Sequence, residues 1–171
     1  MVLAGAAGPC KRVGAPRMVA VRQGMKWIDL PPIWLAACLV LAWGGTRVFG
    51  ALWHGGLPLF LGLFLVAAGI LLMVGAVLAF SKARTTVIPH QQPSTLVDHG
   101  ILRHSRNPIY LGDVLVLLGM SLIWGSLIGL ALVPLLAVIL QRRFIIPEEA
   151  RLAAAFPEAF AAYQSQTRRW L

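Results

Sequence analysis

The feature that most constrains the fold is an apolar run at residues 57–80, which contains no charged side chain. A membrane-spanning α-helix needs about 20 consecutive, mostly apolar residues, and this run is long enough to form one. Three further apolar runs, at residues 33–43, 109–123 and 127–146, predict three more spans. The sequence therefore predicts an all-α membrane protein with about four transmembrane helices.

The placement of the basic residues supports this number of spans and predicts their orientation. Of the 15 Lys and Arg residues, 14 lie before the first run, between the second and third, or from the end of the fourth run onward. Only Arg47 lies in the other set of loops. Because cytoplasmic loops are enriched in Lys and Arg, four spans with both termini in the cytoplasm satisfy this rule. We expect an integral protein of the bacterial inner (plasma) membrane. Its net charge of +9 is explained by topology and anionic lipid, and not by nucleic acid.

The chain divides into three regions by composition. Residues 1–26 are basic, lack periodicity and are expected to be disordered. Residues 27–80 hold two N-terminal transmembrane helices. Residues 81–171 combine the last two spans, predicted as a helical hairpin that turns near residues 124–126, with a C-terminal amphipathic helix that starts at Pro147. The two cysteines, Cys10 and Cys38, are too few for a disulfide framework or a thiolate metal cluster.

A polar stretch at residues 98–113 (D-H-G-I-L-R-H-S-R-N-P-I-Y-L-G-D) leads into the third span. Polar side chains at a bilayer boundary are costly unless they bind something or face water, so this stretch indicates a ligand site. Asn107 is predicted as the N-cap and Pro108 as the first residue of the helix. The helix start, together with Arg106, offers a seat for a carboxylate or phosphate. Asp113 lies one turn inside the span. It either pairs with a basic residue such as Arg106, which we favour on cost, or lines a cavity.

A second polar stretch begins with Pro147, Glu148 and Glu149, which together indicate the start of a helix. Leu152 then begins an apolar stripe that recurs every four residues. Each feature also has a simpler interpretation. The two glutamates can merely complement the helix dipole, Arg168 and Arg169 can merely set the topology, and Tyr110 can belong to an interfacial belt. The histidines do not share a metal-ligand spacing on one helix face, so no metal site is expected.

Residues 85–171 resemble the isoprenylcysteine carboxyl methyltransferase and phospholipid methyltransferase group of integral membrane enzymes. The resemblance lies in S-R-N-P-I-Y-L-G, in P-E-E-x-x-L about forty residues later, and in the closing R-R-W. It implies S-adenosyl-L-methionine as cofactor, bound in a cytoplasmic pocket, and a lipophilic methyl acceptor that arrives from the bilayer. The positions implied in cofactor contact are Ser94, Thr95, Leu96, Val97, Leu102, Arg106, Asn107, Pro108, Ile109, Tyr110 and Glu148.

The resemblance also implies roles in the reaction. Tyr110 would shape the methyl-transfer cavity. If the acceptor needs a base, Glu149 or His104 would supply it, whereas a carboxylate acceptor needs none at neutral pH. Two positions depart from the eukaryotic pattern. Asn107 stands where those enzymes have His. Phe144 stands where they have the substrate-binding Arg, which leaves Arg143 beside it as the substrate-binding candidate.

The function expected from the sequence is S-adenosylmethionine-dependent methyl transfer to a lipophilic acceptor, similar to that of isoprenylcysteine O-methyltransferases. Methylation of a phospholipid amine or a small thiol is one alternative, and a non-catalytic membrane scaffold or small transporter subunit is another. Transporters tend to bury polar residues at mid-bilayer, whereas here the polar residues gather at one interface. Oligomeric state stays open, because Gly62, Gly69 and Gly75 suit close packing within one chain or between two.

Overall fold

The computed structural model describes residues 30–82 and 100–170, and both parts are helical apart from short connections. In chain order, the helices are α1 (Pro31–Phe49), α2 (Gly56–Lys82), a short 3₁₀ helix (Gly100–Arg103), α3 (Pro108–Trp124), α4 (Leu127–Leu140), α5 (Ile146–Ala155) and α6 (Pro157–Gln166). Helices α1 and α2 and the continuous stretch Leu127–Ala155 are long and apolar enough to cross a membrane. Helix α3, with 17 residues, is at the short end of the range for a span. The prediction of an all-α membrane protein is confirmed.

Helix α3 is the centre of the bundle. It packs along α2 on one side and against α1 and α4 on the other. The buried core between α1, α3 and the α4–α5 stretch consists of Cys38, Tyr110, Leu117, Leu136, Leu140, Phe144 and Ile145. The outward faces of α1 and α2 expose large apolar side chains, such as Val48 at 75% and Phe64 at 63%. Soluble monomers rarely expose apolar surface on this scale, so we place these faces against lipid.

Glycines allow α2 and α3 to approach at backbone distance. A Cβ added to Gly62 would lie 2.6 Å from the carbonyl oxygen of Gly119, and one added to Gly69 would lie 2.8 Å from that of Gly112. The two pairs are seven residues apart on each helix, so they mark one stripe along the contact. Small residues at helix interfaces in membranes permit this close packing. Of the three glycines singled out in the sequence, Gly62 and Gly69 thus pack within the chain.

The turn between α3 and α4 fixes the end of the bundle opposite to the start of α3. Gly125 adopts the left-handed conformation, with φ of 63°, which glycine adopts without steric cost. Ser126 is the N-cap of α4, because its hydroxyl oxygen accepts from the Gly129 N–H at 3.1 Å. The same hydroxyl donates to the carbonyl of Ala42 in α1 at 2.8 Å. The predicted hairpin at residues 124–126 is therefore confirmed, and it is tied to α1.

The chain beyond α4 differs from the expected single amphipathic helix. One π-helical turn (Gln141–Ile145) joins α4 to α5 without a break. The helix then stops at Phe156, whose φ of −135° and ψ of 64° are not helical, and α6 begins at Pro157. The residue before a proline is disfavoured in the α conformation, and proline lacks the N–H that would continue the helix. Pro157 is the signal in the sequence that predicts this break. The expected disorder of residues 1–26 lies outside the described residues.

Candidate functional site

The two polar segments of the sequence meet at the end of the bundle where α3 begins, which we call the site end. Tyr110, in the first turn of α3, donates a hydrogen bond from Oη to Oε2 of Glu148 in the first turn of α5, at 3.1 Å. The Tyr110 ring packs against Phe144, with ring centroids 6.2 Å apart and planes at 28°. Phe144 is 1% exposed, so this wall of the site is apolar and closed to water.

An ion-pair network lies beside this contact. Arg169 donates to both carboxylate oxygens of Glu149, from Nε at 3.1 Å and from Nη2 at 2.6 Å. Arg106 lies on the same carboxylate, with Nη2 3.3 Å from Oε1. Hydrogen bonding to Glu149 raises the pKa of Arg169 above its usual value. Glu149 is 9% exposed, so two cations share one buried anion. Such an arrangement is strong because each bond is charge-assisted.

The C-terminal tail, residues 167–170, lies across the loop that precedes α3. The backbone N–H of Arg106 donates to the carbonyl of Arg168 at 3.1 Å. The side-chain amide of Asn107 donates from Nδ2 to the carbonyl of Arg169 at 3.1 Å. In α6, just before the tail, Tyr163 donates to the carbonyl of Leu102 at 2.6 Å. The tail and α6 are thereby fixed over the 3₁₀ helix and the start of α3.

Two predictions about side-chain partners near α3 need correction. Asn107 occupies the N-cap position, but its side chain makes no capping bond, because it binds the tail instead. The favoured pair between Asp113 and Arg106 is wrong. Arg106 is bound to Glu149, and Oδ2 of Asp113 is buried without a hydrogen-bond partner among the residues that the structure describes. The prediction rested on the cost of an unpaired carboxylate at Asp113. It did not consider Glu149, which competes for Arg106 and lies far away in sequence.

The site end fits a ligand that carries an anionic group and at least one N–H or O–H donor. The buried Nε of Arg106 has no acceptor in the described part of the chain, so this guanidinium retains a donor beyond its pair with Glu149. The start of α3 has no side-chain cap, and its positive partial charge favours an anion. Glu148 accepts the Tyr110 hydrogen bond through Oε2. Its carboxylate can also accept from N–H or O–H groups of a ligand. These groups therefore suit a ligand that has both an anionic group and an N–H or O–H donor, as an amino acid has.

The structure brings together most of the residues that the sequence singled out. Leu102, Asn107, Pro108 and Tyr110 are buried around the start of α3, and Ile109 is half-buried. His104, in contrast, is exposed. The remaining predicted contacts, Ser94, Thr95, Leu96 and Val97, lie outside the described residues. Within residues 30–82 and 100–170, no three His, Cys, Asp or Glu side chains come together as a metal site would require.

Arg143, the substrate-binding candidate, lies next to the site wall. Its guanidinium is over the ring of Trp34, 5.3 Å from the centroid. Trp34 is in the first turn of α1 and packs against the buried core that includes Tyr110. Arg143 itself is exposed, as a residue that meets a lipid head group would be. The sequence identified Arg143 only because it is adjacent to Phe144. It did not identify Trp34 as the partner of Arg143, because no polar motif accompanies Trp34.

A cavity lies in another part of the molecule, remote from these residues. It has a volume of about 420 Å³ and lies at the opposite end of the bundle, between the end of α1 and the start of α4. Its lining is mostly apolar and includes Phe49, Leu52, Leu127 and Ile128. Neither Tyr110 nor Glu148 lines this cavity. It is therefore separate from the candidate site.

Comparison with known proteins identifies one family. The model of the phospholipid methyltransferase family matches residues 57–159, which run from the start of α2 into α6. The match covers more than half of the chain and includes Tyr110, Glu148 and Glu149. Neither the curated proteins nor the solved structures gave a match.

Proposed function

Because the chain belongs to the phospholipid methyltransferase family, we propose that it transfers a methyl group from S-adenosyl-L-methionine to a lipophilic acceptor that arrives from the bilayer. The observation that carries this proposal is the hydrogen bond between Tyr110 and Glu148. It joins two segments that are 38 residues apart, so that a single ligand can touch both. When bound, the donor supplies a methyl group on a positively charged sulfur.

Arg106 and the start of α3 would hold the carboxylate of the donor. The Nε of Arg106 is buried and lacks an acceptor in the described residues, and a carboxylate would satisfy it. Glu148 would accept from the amino group or the ribose hydroxyls, with its direction fixed by Tyr110. The other positions that we assign to the donor site are Ser94, Thr95, Leu96, Val97, Leu102, Asn107, Pro108 and Ile109.

The chain's contribution to the reaction is alignment in a dry site. Methyl transfer from a sulfonium is an in-line displacement, and it depends on positioning and on exclusion of water more than on strong acids or bases. Tyr110 and Phe144 form one wall of the site, backed by the fully buried Leu140. We assign Tyr110 a direct role in shaping the transfer cavity. Glu149, bound by two guanidinium groups, serves to position Arg106 and the tail in preference to acting as a base.

The site end faces the cytoplasm in this proposal, with both termini on that side. Along the sequence, 14 of the 15 Lys and Arg residues lie before α1, at the end of α2, between α2 and α3, or after α4, a distribution that the positive-inside rule favours. A carboxylate acceptor of the isoprenylcysteine type would be met by Arg143, which is exposed beside the Phe144 wall. An amine acceptor would need an anion instead, so the two chemistries depend on different side chains.

Binding of radiolabelled S-adenosylmethionine to the detergent-purified full chain tests the donor site. We expect wild type to bind, and Tyr110→Phe and Glu148→Gln to bind at least about tenfold more weakly, because each loses a hydrogen bond to a charged group. Both substitutions keep the size of the side chain. Glu158→Gln is the matched control, because Glu158 is an exposed carboxylate on α6, and it should bind like wild type.

The possible results separate the classes of function. Absence of binding to folded wild-type protein would favour the membrane scaffold over the enzyme. Binding by wild type together with undiminished binding by both site variants would mean that the donor lies elsewhere. A folded state is established for each variant by its thermal unfolding and its elution as a single species in detergent.

A further inference from the structure

The cavity between the end of α1 and the start of α4 is large enough to hold part of a ligand. Its volume of about 420 Å³ lies within the range of about 300–1,000 Å³ that is usual for ligand pockets. Glycines line it, among them Gly45, Gly50 and Gly125, and they leave the space unfilled. The large side chains at its rim do not close it, since Phe49 is 80% and Leu127 61% exposed. The cavity therefore opens toward the bilayer.

Polar groups that border the cavity are bonded within the chain. The Thr46 hydroxyl donates to the carbonyl three residues before it at 2.7 Å, and the Ser126 hydroxyl donates to the carbonyl of Ala42 at 2.8 Å. The backbone N–H of Leu52 donates to the carbonyl of Gly125 at 2.9 Å. These donors therefore do not require a polar ligand. Apolar cavities of about 150 Å³ stay dry and bind hydrocarbons, so this larger apolar space suits a hydrocarbon chain.

Two tryptophans indicate that this end of the bundle, which we call the turn end (residues 43–57 and 121–128), lies at the lipid–water interface. Trp43, in α1, is 47% exposed. Trp53, in the connection to α2, donates from Nε1 to the carbonyl of Leu122 at 2.9 Å. Tryptophan is enriched at the interface, where its ring lies at the level of the head groups. A hydrocarbon chain in the cavity would thus begin at head-group depth, as the acyl chain of a lipid does.

A positive charge lies beside the cavity, on Arg47. Arg47 follows Thr46, which lines the cavity, and its guanidinium lies 5.0 Å from the centroid of the Trp43 ring. Residues 30–97 and 114–147 of the sequence contain no Asp or Glu, so the turn end has no carboxylate of its own for Arg47. An anion from outside the chain would complement this charge. The positive-inside rule disfavours a basic residue on this side, and a local anion gives a reason for one.

We propose that this cavity binds one acyl chain of a phospholipid from the leaflet at the turn end, with the lipid phosphate on Arg47. An apolar space and an uncompensated cation at head-group depth match the two parts of one such lipid. The bound lipid links the end of α1 to the start of α4, which the bond from Ser126 to Ala42 already joins. Because neither Tyr110 nor Glu148 lines the cavity, this lipid site does not depend on the proposed methyl transfer.

Native mass spectrometry of the detergent-purified full chain, titrated with lipid, tests the site. The probes are dioleoyl phosphatidylglycerol and dioleoylglycerol, which has the same chains but no phosphate. We expect wild type to bind one phosphatidylglycerol at least about tenfold more tightly than the diacylglycerol, because a guanidinium binds phosphate through charge-assisted hydrogen bonds. Arg47→Gln should lose this preference. Lys82→Gln is the matched control, since Lys82 is also an exposed basic residue in the last turn of a span, and it should keep the preference.

Leu127→Trp tests the acyl-chain part of the site independently, because the larger ring fills part of the cavity. We expect it to weaken the binding of both lipids at least about tenfold, which corresponds to the burial of about two methylene groups. Leu57→Trp is its control, since Leu57 is 69% exposed at the start of α2 and does not line the cavity. Thermal unfolding in detergent establishes that each variant is folded, and either cavity variant decides the question if the other does not fold.

Three results would overturn the proposal. The first is unchanged lipid binding by folded Arg47→Gln or Leu127→Trp protein. The second is a loss in Lys82→Gln or Leu57→Trp as large as that in the matched cavity variant, because binding would then not be specific to this site. The third is a wild-type dimer that Leu127→Trp dissociates without a change in lipid binding, because a second copy of the chain would then be what covers the cavity.

Discussion

Replacing Gly112 by alanine tests whether the close contact of α2 and α3 positions the candidate site. A Cβ at this position would lie 2.7 Å from the carbonyl oxygen of Gly69 and 2.7 Å from Cγ of Met73. Ordinary contact begins at 3.4 Å, so the two helices must separate by several tenths of an ångström. The Met73 side chain is flexible, but the Gly69 carbonyl belongs to the backbone of α2 and moves only with its helix. Overpacking of this kind costs about 1–3 kcal/mol.

Gly44→Ala is the matched control. A Cβ on Gly44, which also lies within a helix, would meet nothing within 4 Å. Alanine is favoured over glycine in a helix by up to about 1 kcal/mol, and both variants gain this term. We therefore expect Gly44→Ala to be as stable as wild type or more so, and Gly112→Ala to be less stable by about 1–2 kcal/mol. Because Gly112→Ala is expected to lose stability and Gly44→Ala is not, the comparison does not depend on the exact energy of either effect.

The consequence for function follows from the position of Gly112, which comes two residues after Tyr110 on α3. A shift of α3 away from α2 moves the Tyr110 hydroxyl relative to Glu148, and a misplacement of about 1 Å in a site can cost about 100-fold. Thermal unfolding in detergent and binding of radiolabelled methyl donor measure the two effects. We expect at least a tenfold loss of donor affinity in Gly112→Ala and none in Gly44→Ala. Equal stability and equal affinity of the two variants would refute the packing argument.

Three further predictions concern single side chains. Glu149→Gln should reduce the free energy of unfolding by about 2–4 kcal/mol, because it leaves two guanidinium groups around a neutral amide. Glu158→Gln on the surface should change it little. Thermal unfolding in detergent measures both variants, and equal losses would contradict the ion-pair network. Tyr163→Phe should destabilise by about 1–2 kcal/mol and increase proteolysis near α6, because the buried carbonyl of Leu102 loses its donor. Asp113→Asn should raise the unfolding temperature, because it removes a buried carboxylate whose Oδ2 has no hydrogen-bond partner among residues 30–82 and 100–170. A lower temperature would indicate that Asp113 has a partner within the chain.

The fold was largely predictable because hydropathy and charge placement act along the sequence. The runs at residues 57–80, 109–123 and 127–146 correspond to α2, α3 and the start of the Leu127–Ala155 stretch. The first apolar run, residues 33–43, is shorter than the helix that contains it, because α1 continues through Gly44 and Gly45 to Phe49. In a bilayer, backbone groups must be satisfied internally, so a helix continues through glycines that would weaken it in water.

Side-chain pairing was less predictable, because it depends on contacts between distant residues. Arg106 had two candidate carboxylates, Asp113 seven residues away and Glu149 more than forty residues away, and the cost of an unpaired charge inside the span favoured the wrong one. Arg168 and Arg169 were interpreted as topology signals, yet Arg169 also makes the strongest bonds to Glu149. A charge count along the chain identifies which side of the membrane a residue occupies. It does not identify which of several opposite charges it meets there.

The resemblance sets Asn107 where the eukaryotic enzymes have histidine, and the bond that this side chain makes suits either residue. Its amide donates an N–H to the carbonyl of Arg169, and a neutral imidazole also has one N–H to donate. Either side chain can therefore hold the tail over the start of α3 without a charge. The position requires an N–H donor that reaches the carbonyl of Arg169, and it does not require a titratable group. An amide at residue 107 therefore suffices to hold the tail where it closes over Arg106 and Glu149.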